Sequence, residues 1–387
     1  MDRNKPDFQT VMPLAGLPVV WLLVHMVAGG PLPAAETSKS PDRVDHSRLM
    51  VYWQADGQAR PVNTEADWAI RRRQILQGME AAMGPLPDRS KLPPLDVQVT
   101  ERVAGDGFAR QKISFVAEPG DRVPAYLFLP AARTPGRRVP AMLALHQTTG
   151  IGKGEPAGLG GSPNLHYALE LAQRGYVVLA PDYPSFGDYQ YDFQKSRYAS
   201  GSMKGIFNHM RGVDLLESLD EVDPQRIGAI GHSLGGHNAM FVGVFDQRLK
   251  VIVSSCGWDP FHDYYGGKIA GWASDRYMPR LRTEYGLDPD RAPFDFYEVV
   301  AALAPRAFFS NSPTQDSNFT HVGVRKAEAK AREVYTLLGA ADQLQVRYPD
   351  CAHDFPPEIR REAYAFIDRA LGHTPTRRLD GGLKSSK

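Results

Sequence analysis

The feature that most constrains the fold is a cluster of glycines around one serine, GHSLGG at residues 231–236. A short apolar run, residues 227–230, comes directly before it, and a helical pattern follows it. A G-x-S-x-G sequence between a strand and a helix is typical of a sharp turn that exposes the serine hydroxyl at the end of a sheet. Gly231 and Gly235 lack a Cβ atom, so strand and helix can approach each other closely. The pattern therefore predicts that Ser233 is a nucleophile.

Glycine-rich loops that bind phosphates are the main alternative to this interpretation. A Walker loop needs Lys followed by Ser or Thr after its glycines, and a dinucleotide-binding fingerprint needs G-x-G-x-x-G; the segment has neither pattern.

The distribution of charge along the chain indicates whether nucleic acids are expected as partners. The 45 basic and 44 acidic residues are scattered along 387 positions, so we expect no nucleic-acid partner, and no cofactor is indicated.

The first 35 residues have the order of a secretory signal peptide. Arg3 and Lys5 precede a long apolar run, residues 13–30, which small residues follow. An uncleaved membrane anchor is the alternative, because this run is long for a signal sequence. We predict that residues 1–35 are a signal peptide and that the protein is secreted or periplasmic. No stable membrane association is expected after cleavage.

Residues 36–91 divide into a polar, loosely packed arm and a helix. The helix is expected to begin after Thr64, which can cap it together with Asp67 three residues later. Gly84, followed by a proline, is expected to end it. A stripe of Trp, Ile and Met residues along this helix predicts that it packs against the main core.

Residues 92–371 are expected to form one catalytic domain. Three strand-like runs separated by turn signals come first, and from residue 141 strands alternate with helices. Near-continuous apolar strands alternating with helices indicate a mostly parallel, twisted sheet covered by helices on both faces. We therefore predict an α/β fold with an antiparallel start and an N-terminal helical extension. A lid-like insertion, residues 259–305, follows the sixth core strand, and residues 372–387 form a flexible tail.

The partners of the serine follow from the order of the strands. A serine hydroxyl needs a base to remove its proton, and parallel strands end at one edge of their sheet. His353, just beyond the final strand in YPDCAHDFPPE, is the expected base. Asp316 lies four residues past the preceding strand and is the expected carboxylate that orients the imidazole. Asp259, directly after an earlier strand, is the alternative.

The reaction also needs hydrogen-bond donors for a negatively charged oxygen. The backbone N–H of Leu234 is one expected donor, because it lies at a helix N-terminus directly after the nucleophile. The loop that follows the strand AMLALH is expected to supply the second donor. We predict the backbone N–H of Gln147 for this role, with His146 shaping the turn.

The two cysteines, Cys256 and Cys351, both follow predicted strands. A small buried thiol is the usual explanation for such positions, and a disulfide between them is the alternative in an oxidising compartment. The histidines are dispersed, and neither CxxC nor HExxH occurs in the chain. We therefore predict no metal site.

From about Leu92 to Leu371 the chain resembles the α/β-hydrolase superfamily, and within it the bacterial dienelactone-hydrolase-like and acetyl-xylan-esterase-like serine esterases. The segments that carry the resemblance are LHQTTGIGKGE, RGYVVLAPDYPSFGDY, GHSLGGHNA, NSPTQDSNF and CAHDFP. The resemblance implies an α/β-hydrolase fold and a Ser-His-Asp mechanism. Dienelactone hydrolases proper have cysteine as the nucleophile, whereas this chain has Ser233, which favours ordinary carboxylic esters.

We expect a secreted serine ester hydrolase that acts on a water-soluble small-molecule or oligosaccharide ester, with an acetylated carbohydrate favoured. The insertion is rich in Tyr, Trp and His, whose rings suit stacking on sugars. Four residues are predicted to contact the substrate: His146, Tyr183, Trp258 and Asn318. A peptidase or amidase of the same fold and a lactone-type hydrolase are the alternatives. The sequence does not fix the oligomeric state.

Overall fold

The computed structural model describes residues 45–131, 136 and 138–376. The predicted signal peptide, residues 1–35, lies outside the described residues, as do residues 36–44 of the predicted arm and most of the predicted tail. Within the described ranges, no helix is long and apolar enough to cross a membrane.

The described strands are β1 (Val51–Trp53), β2 (Ala59–Pro61), β3 (Gln98–Ala104), β4 (Phe108–Glu118), β5 (Asp121–Pro130), β6 (Val139–Leu145), β7 (Val177–Pro181), β8 (Val222–His232), β9 (Leu249–Ser255), β10 (Ala307–Asn311) and β11 (Leu344–Arg347). The described helices are α1 (Glu65–Met83), α2 (Tyr167–Gln173), α3 (Gly201–Glu217), α4 (Leu234–Phe245), α5 (Arg280–Thr283), α6 (Phe296–Leu303), α7 (His321–Leu337) and α8 (Pro357–Ala370).

Nine of these strands form one sheet, in the order β11-β10-β9-β8-β6-β7-β5-β4-β3. Strands β6 to β11 pair in parallel, whereas β3, β4 and β5 pair antiparallel at the other end. The predicted α/β fold, mostly parallel with an antiparallel start, is therefore confirmed. Because the parallel strands all end at one edge, the loops after β6, β8, β10 and β11 come together there.

Burial follows the position of each strand in the sheet. Every residue of β7 and β10 is buried, as expected for central strands with helices on both faces. Strand β4 alternates buried and half-buried residues, and the edge strand β3 is exposed along its whole length. Two apolar cores result: α3, α4, α6 and α7 cover one face of the sheet, and α2 and α8 cover the other.

Helix α1 has the predicted ends. Thr64 accepts a hydrogen bond from the Asp67 N–H, the Asp67 carboxylate accepts one from the Thr64 N–H, and Gly84 lies at the C-terminus. The predicted loose arm is wrong for its described part, because β1 and β2 form a small antiparallel sheet. Buried His46 also lies 2.8 Å from the Glu298 carboxylate on α6, which anchors the start of this segment.

The insertion at residues 259–305 follows β9. This is the seventh strand of the large sheet in chain order and not the predicted sixth, because the sheet includes the edge strand β3. Its second half is not lid-like: α6 packs against α1, α4 and α7 as part of the core. Its first half consists of short helical turns, Tyr264–Gly266 and Ile269–Trp272, followed by α5. This first half contributes aromatic side chains to the surface above Ser233.

Candidate active site

Ser233 lies in a sharp turn between β8 and α4. Its backbone has φ 52° and ψ −117°, a strained conformation for a residue with a side chain. A Cβ atom added to Gly231 would lie 2.1 Å from the Gly235 carbonyl oxygen. One added to Gly235 would lie 1.9 Å from the Leu145 carbonyl oxygen. Both glycines are therefore required for the close approach of strand and helix, as the sequence predicts.

His353 and Asp316 face each other at the same edge of the sheet. The Nδ1 atom of His353 lies 2.9 and 3.0 Å from the two carboxylate oxygens of Asp316. The Asp316 side chain is 1% exposed, and its Oδ1 also accepts the backbone N–H groups of Asn318 and Phe319. An Nδ1–H that donates to the carboxylate leaves Nε2 of His353 free to accept a proton.

The structure brings these two residues to the same edge as Ser233 without joining all three. Among the described residues, no hydrogen bond links the Ser233 hydroxyl to the His353 ring. The ring is nevertheless close to the turn, 4.8 Å between centroids from His232, the residue that precedes the serine. Such hydrogen bonds are often long in ligand-free enzymes and tighten when substrate binds.

Asp259, the alternative acid, has a different partner. Its carboxylate accepts the backbone N–H of Thr320 at 2.9 Å, and Thr320 caps the N-terminus of α7. Asp259 thus holds the end of the loop that carries Asp316. Burial, followed by the charges of nearby carboxylates, raises the pKa of Asp259 to about 8 although the Thr320 N–H opposes this shift. At neutral pH the Asp259 carboxyl group is therefore largely uncharged.

The raised pKa of Asp259 predicts a pH-dependent stability. An unfolded aspartate ionises near pH 4, whereas folded Asp259 ionises near pH 8, so the folded wild type loses stability as pH rises between these values. The loss is about 1.4 kcal/mol per pH unit for one proton. In Asp259→Asn the side chain never ionises. We expect the free energy of unfolding of the variant, relative to wild type, to rise from pH 5 to pH 8 and then level off.

Urea unfolding of both proteins at pH 5, 6, 7, 8, 9 and 10 measures this difference. A difference that stays constant over the whole range would show that Asp259 is already ionised in the folded protein.

The loop after β6 lies against the N-terminus of α4, where two backbone N–H groups are available. The Leu234 N–H is in the first helical turn and has no intrahelical acceptor. The Gln147 side chain donates from Nε2 to Glu155 at 2.8 Å, so the backbone N–H of Gln147 is the candidate donor for the cleft. Thr148, the next residue, lines the same cavity as Ser233. The predicted pair of donors, Leu234 and Gln147, remains a prediction that this arrangement favours.

Two of the four predicted substrate contacts, His146 after β6 and Tyr183 after β7, are buried side chains that form hydrogen bonds within the protein. His146 is 2% exposed; its Nε2 accepts the Tyr183 backbone N–H, and its Nδ1 lies 2.6 Å from the Gln147 carbonyl oxygen. Tyr183 is also 2% exposed and donates its hydroxyl to the Arg276 carbonyl oxygen. Both predictions are wrong, because neither side chain lines the cavity beside Ser233: His146 holds the loop after β6, whereas the Tyr183 hydroxyl bonds the insertion.

The predicted contact at Trp258 is wrong for a similar reason. Trp258 is 1% exposed, its ring lies beside Phe296 and Phe308, and its indole N–H donates to the Ser310 hydroxyl. Asn318 does line the cavity, where its side-chain oxygen accepts the Tyr265 hydroxyl at 2.9 Å. Asn318 thus remains a candidate substrate contact.

A cavity of about 160 Å³ opens directly on Ser233. Its lining consists of Thr148, Ser233, Leu234, His237, Tyr264, Gly271, Trp272, Tyr277, Asn318 and Phe319. Sequence analysis named only three of these for the site, because four of the others, Tyr264, Gly271, Trp272 and Tyr277, depend on how the insertion folds over the turn. The abundance of Tyr and Trp in the insertion was the one available signal for Tyr264, Trp272 and Tyr277.

Both cysteines are free thiols, so the alternative of a disulfide between Cys256 and Cys351 is excluded. Cys256 is buried beside the candidate site. One ligand atom each from His232, Cys256 and His353 lies within 4.8 Å of the others, a grouping that the sequence prediction of no metal site did not foresee. Burial, followed by the charge of His353, lowers the pKa of His232, so an uncharged ring lies beside His353.

Comparisons with known proteins agree with this architecture. A family model described as "Alpha/beta hydrolase family" matches residues 156–380, more than half of the chain. The chain is 28% identical to YtaP of Bacillus subtilis (strain 168) over 318 residues, which cover 78% of this chain and 99% of YtaP.

Two solved structures of esterases share the fold. A glucuronoyl esterase of carbohydrate esterase family 15 from Caldicellulosiruptor kristjansonii matches with a TM-score of 0.62 and 21% identity, over 87% of this chain and 93% of that one. An acetyl xylan esterase from Paenibacillus sp. R4 matches with a TM-score of 0.53 and 18% identity, over 76% of this chain and 99% of that one. With its strained serine turn, its nine-stranded sheet and the family match over residues 156–380, this chain is an enzyme that belongs to the alpha/beta hydrolase family.

Proposed function

We propose that the protein is a serine carboxylic-ester hydrolase in which Ser233 is the nucleophile, His353 the base and Asp316 the residue that orients the base. The observation that carries the proposal is the hydrogen-bonded pair of His353 and Asp316 at the edge of the sheet where Ser233 is held in a strained turn. This set of groups is what acyl transfer through a serine requires.

In the first half of the reaction, the Ser233 hydroxyl oxygen attacks the ester carbonyl carbon while Nε2 of His353 takes the hydroxyl proton. The carbonyl oxygen becomes negatively charged and accepts the backbone N–H groups of Leu234 and Gln147. The bond between carbonyl carbon and alcohol oxygen then breaks. His353 gives its proton to the departing alcohol, and an acyl group remains on Ser233.

In the second half, water replaces the alcohol. His353 takes a proton from the water as its oxygen attacks the acyl carbon, and then returns a proton to the Ser233 oxygen as the carboxylic acid leaves. Asp316 accepts the Nδ1–H of His353 throughout and stabilises the positively charged imidazole that forms in each half.

The size and chemistry of the cavity favour an esterified carbohydrate as substrate. A volume of about 160 Å³ is small for a ligand pocket, so it suits a short acyl group or a single sugar ring and disfavours a long acyl chain. Tyr264, Trp272 and Tyr277 offer rings with polar tips, which suit sugars better than lipids. The names of the two structural relatives, a glucuronoyl esterase and an acetyl xylan esterase, support the same class.

We also propose that the enzyme acts outside the cytoplasm. The support is the sequence of the first 35 residues, which has the order of a signal peptide. Cell fractionation with N-terminal sequencing of the enzyme in each fraction would test this proposal, and an enzyme found only in the cytoplasm with its first methionine intact would contradict it.

A panel of four esters tests the substrate class: an acetylated xylobiose, the methyl ester of a glucuronoside, 4-nitrophenyl acetate and 4-nitrophenyl decanoate. We expect all but the decanoate to be hydrolysed, with one of the two sugar esters giving the largest kcat/KM. Preference for the decanoate would contradict a carbohydrate substrate, although the proposed esterase activity would still stand. If none of the four esters were hydrolysed, the proposed esterase activity itself would be contradicted.

A further inference from the structure

His237 is a buried imidazole that the proposed reaction does not use. It lies four residues after Ser233, in the first part of α4, and its ring lines the cavity that opens on the serine. The residue is only 4% exposed. Its position places a polar ring in the wall of the substrate cavity, close to the reacting ester.

Neither ring nitrogen of His237 forms a hydrogen bond with the described residues. The backbone of Gly257 lies near the ring but does not form a hydrogen bond of normal geometry with it. A buried polar atom without a partner costs stability, and folded proteins rarely keep one without a reason. A substrate group that bonded one of these nitrogens would reduce this cost.

The charges around the cavity indicate which kind of substrate group can form a hydrogen bond with His237. Burial lowers the pKa of His237 to about 3, so the ring is neutral at every working pH. A neutral imidazole has one donor and one acceptor nitrogen, which matches a hydroxyl group, itself both donor and acceptor. A carboxylate, by contrast, would need a positive charge, and no Lys or Arg occurs among the described residues that line the cavity.

Aromatic neighbours hold the ring in place. Trp272 meets it edge-on, with 4.8 Å between ring centroids and an angle of 67° between planes. Tyr277 meets it at 5.8 Å and 74°, and Phe241 lies 5.5 Å away on the side of the helix. Trp272 and Tyr277 also line the cavity. The ring of His237 is thus packed against two rings that also line the cavity and can contact the faces of a sugar.

We propose that His237, Trp272 and Tyr277 form a subsite for an uncharged sugar ring, in which His237 hydrogen-bonds a sugar hydroxyl and determines specificity. The proposal rests on the esterase function proposed above and names its substrate more closely: a neutral hydroxylated ring next to the scissile ester. His237 binds substrate in this account and takes no part in proton transfer.

The test compares a sugar ester with a plain ester in the His237→Phe variant. Phenylalanine keeps an aromatic ring against Trp272 and Tyr277 but has no hydrogen-bonding atom. We expect kcat/KM for the better of acetylated xylobiose and the glucuronoside methyl ester to fall about tenfold, near the upper end of the range for a lost hydrogen bond. For 4-nitrophenyl acetate, which has no sugar hydroxyl, we expect a change of less than about threefold.

Two further variants separate binding from folding. His237→Gln keeps a donor and an acceptor, so we expect it to recover the rate on the sugar ester to within about threefold of wild type. His209→Phe is the matched control, because His209 is equally buried and its pKa is also lowered to about 3 by burial, yet it does not line the cavity. We expect this control to leave the ratio of the two rates unchanged.

If the phenylalanine ring does not fit, shown by loss of a cooperative thermal transition, His237→Leu is measured in its place, because leucine is less bulky and also lacks hydrogen-bonding atoms. Equal losses on both esters, or no loss on either, would overturn the proposal. Absence of any ester hydrolysis by the wild-type protein would instead overturn the esterase function on which the proposal rests.

Discussion

Replacing Ser233 with alanine is expected to lower kcat for ester hydrolysis about a millionfold, the size of loss found when the nucleophile of a catalytic triad is removed. Without the Ser233 hydroxyl no acyl-enzyme can form, and only binding and the backbone N–H donors remain to assist the reaction. The fold should be unaffected, because the Ser233 contact that holds the turn is its backbone N–H, which donates to the Ser255 carbonyl oxygen.

Initial rates on 4-nitrophenyl acetate and thermal unfolding of both proteins test this expectation. Ser254→Ala is the matched control, since Ser254 lies at the end of the neighbouring strand and its buried hydroxyl has no partner among the described residues. This control should keep wild-type activity. A Ser233→Ala protein that retained more than about a thousandth of the wild-type kcat would remove Ser233 as the nucleophile.

Replacing Asp316 with asparagine is expected to lower kcat about ten-thousandfold with little change in KM. The asparagine amide keeps the shape of the carboxylate, but its NH₂ group can face Nδ1 of His353. The imidazole then carries its proton on Nε2, the atom that must accept the proton of the serine. Loss of the negative charge also removes the stabilisation of the imidazolium that forms during the reaction.

Asp259→Asn is a sensitive control for this effect, because Asp259 is also a buried aspartate at the carboxyl edge of the sheet. Its carboxyl group is largely uncharged at neutral pH, so asparagine is a close substitute, and the Thr320 N–H keeps an acceptor. We expect Asp259→Asn to retain kcat within about tenfold of wild type at pH 7. The reverse ranking of the two variants would assign the acid to Asp259.

The core of the site could be predicted because it depends on local chain geometry and on one topological rule. The glycines around Ser233 identify the turn without knowledge of any other contact, and parallel strands bring their carboxyl ends to one edge. His353 and Asp316 follow from their positions just after the last two strands. The structure places them together at 2.9 Å, while their catalytic roles remain predictions that the variants above test.

The lining of the cavity could not be predicted in the same way. Trp258 lies three residues past the end of β9, in a region where catalytic groups occur, but the side on which its ring falls is set by packing against α6. Tyr183 likewise turns inward to meet the Arg276 carbonyl oxygen, which lies 93 residues further along the chain. The position of His237 in the cavity wall could not be predicted, because a histidine on a helix gives no sign that the insertion will fold over it.

The most direct test of the account is to identify the residue that reacts with a fluorophosphonate, a reagent that phosphonylates activated serine hydroxyls. Trypsin cleaves after Arg226 and Arg248, and the peptide between them, residues 227–248, contains Ser233 as its single serine. We predict that mass spectrometry finds one phosphonate group on this peptide, in proportion to lost esterase activity. The adduct should be absent from Ser233→Ala and greatly slowed in His353→Ala. Complete inactivation with the adduct on any other peptide would contradict the assignment of Ser233 as the nucleophile.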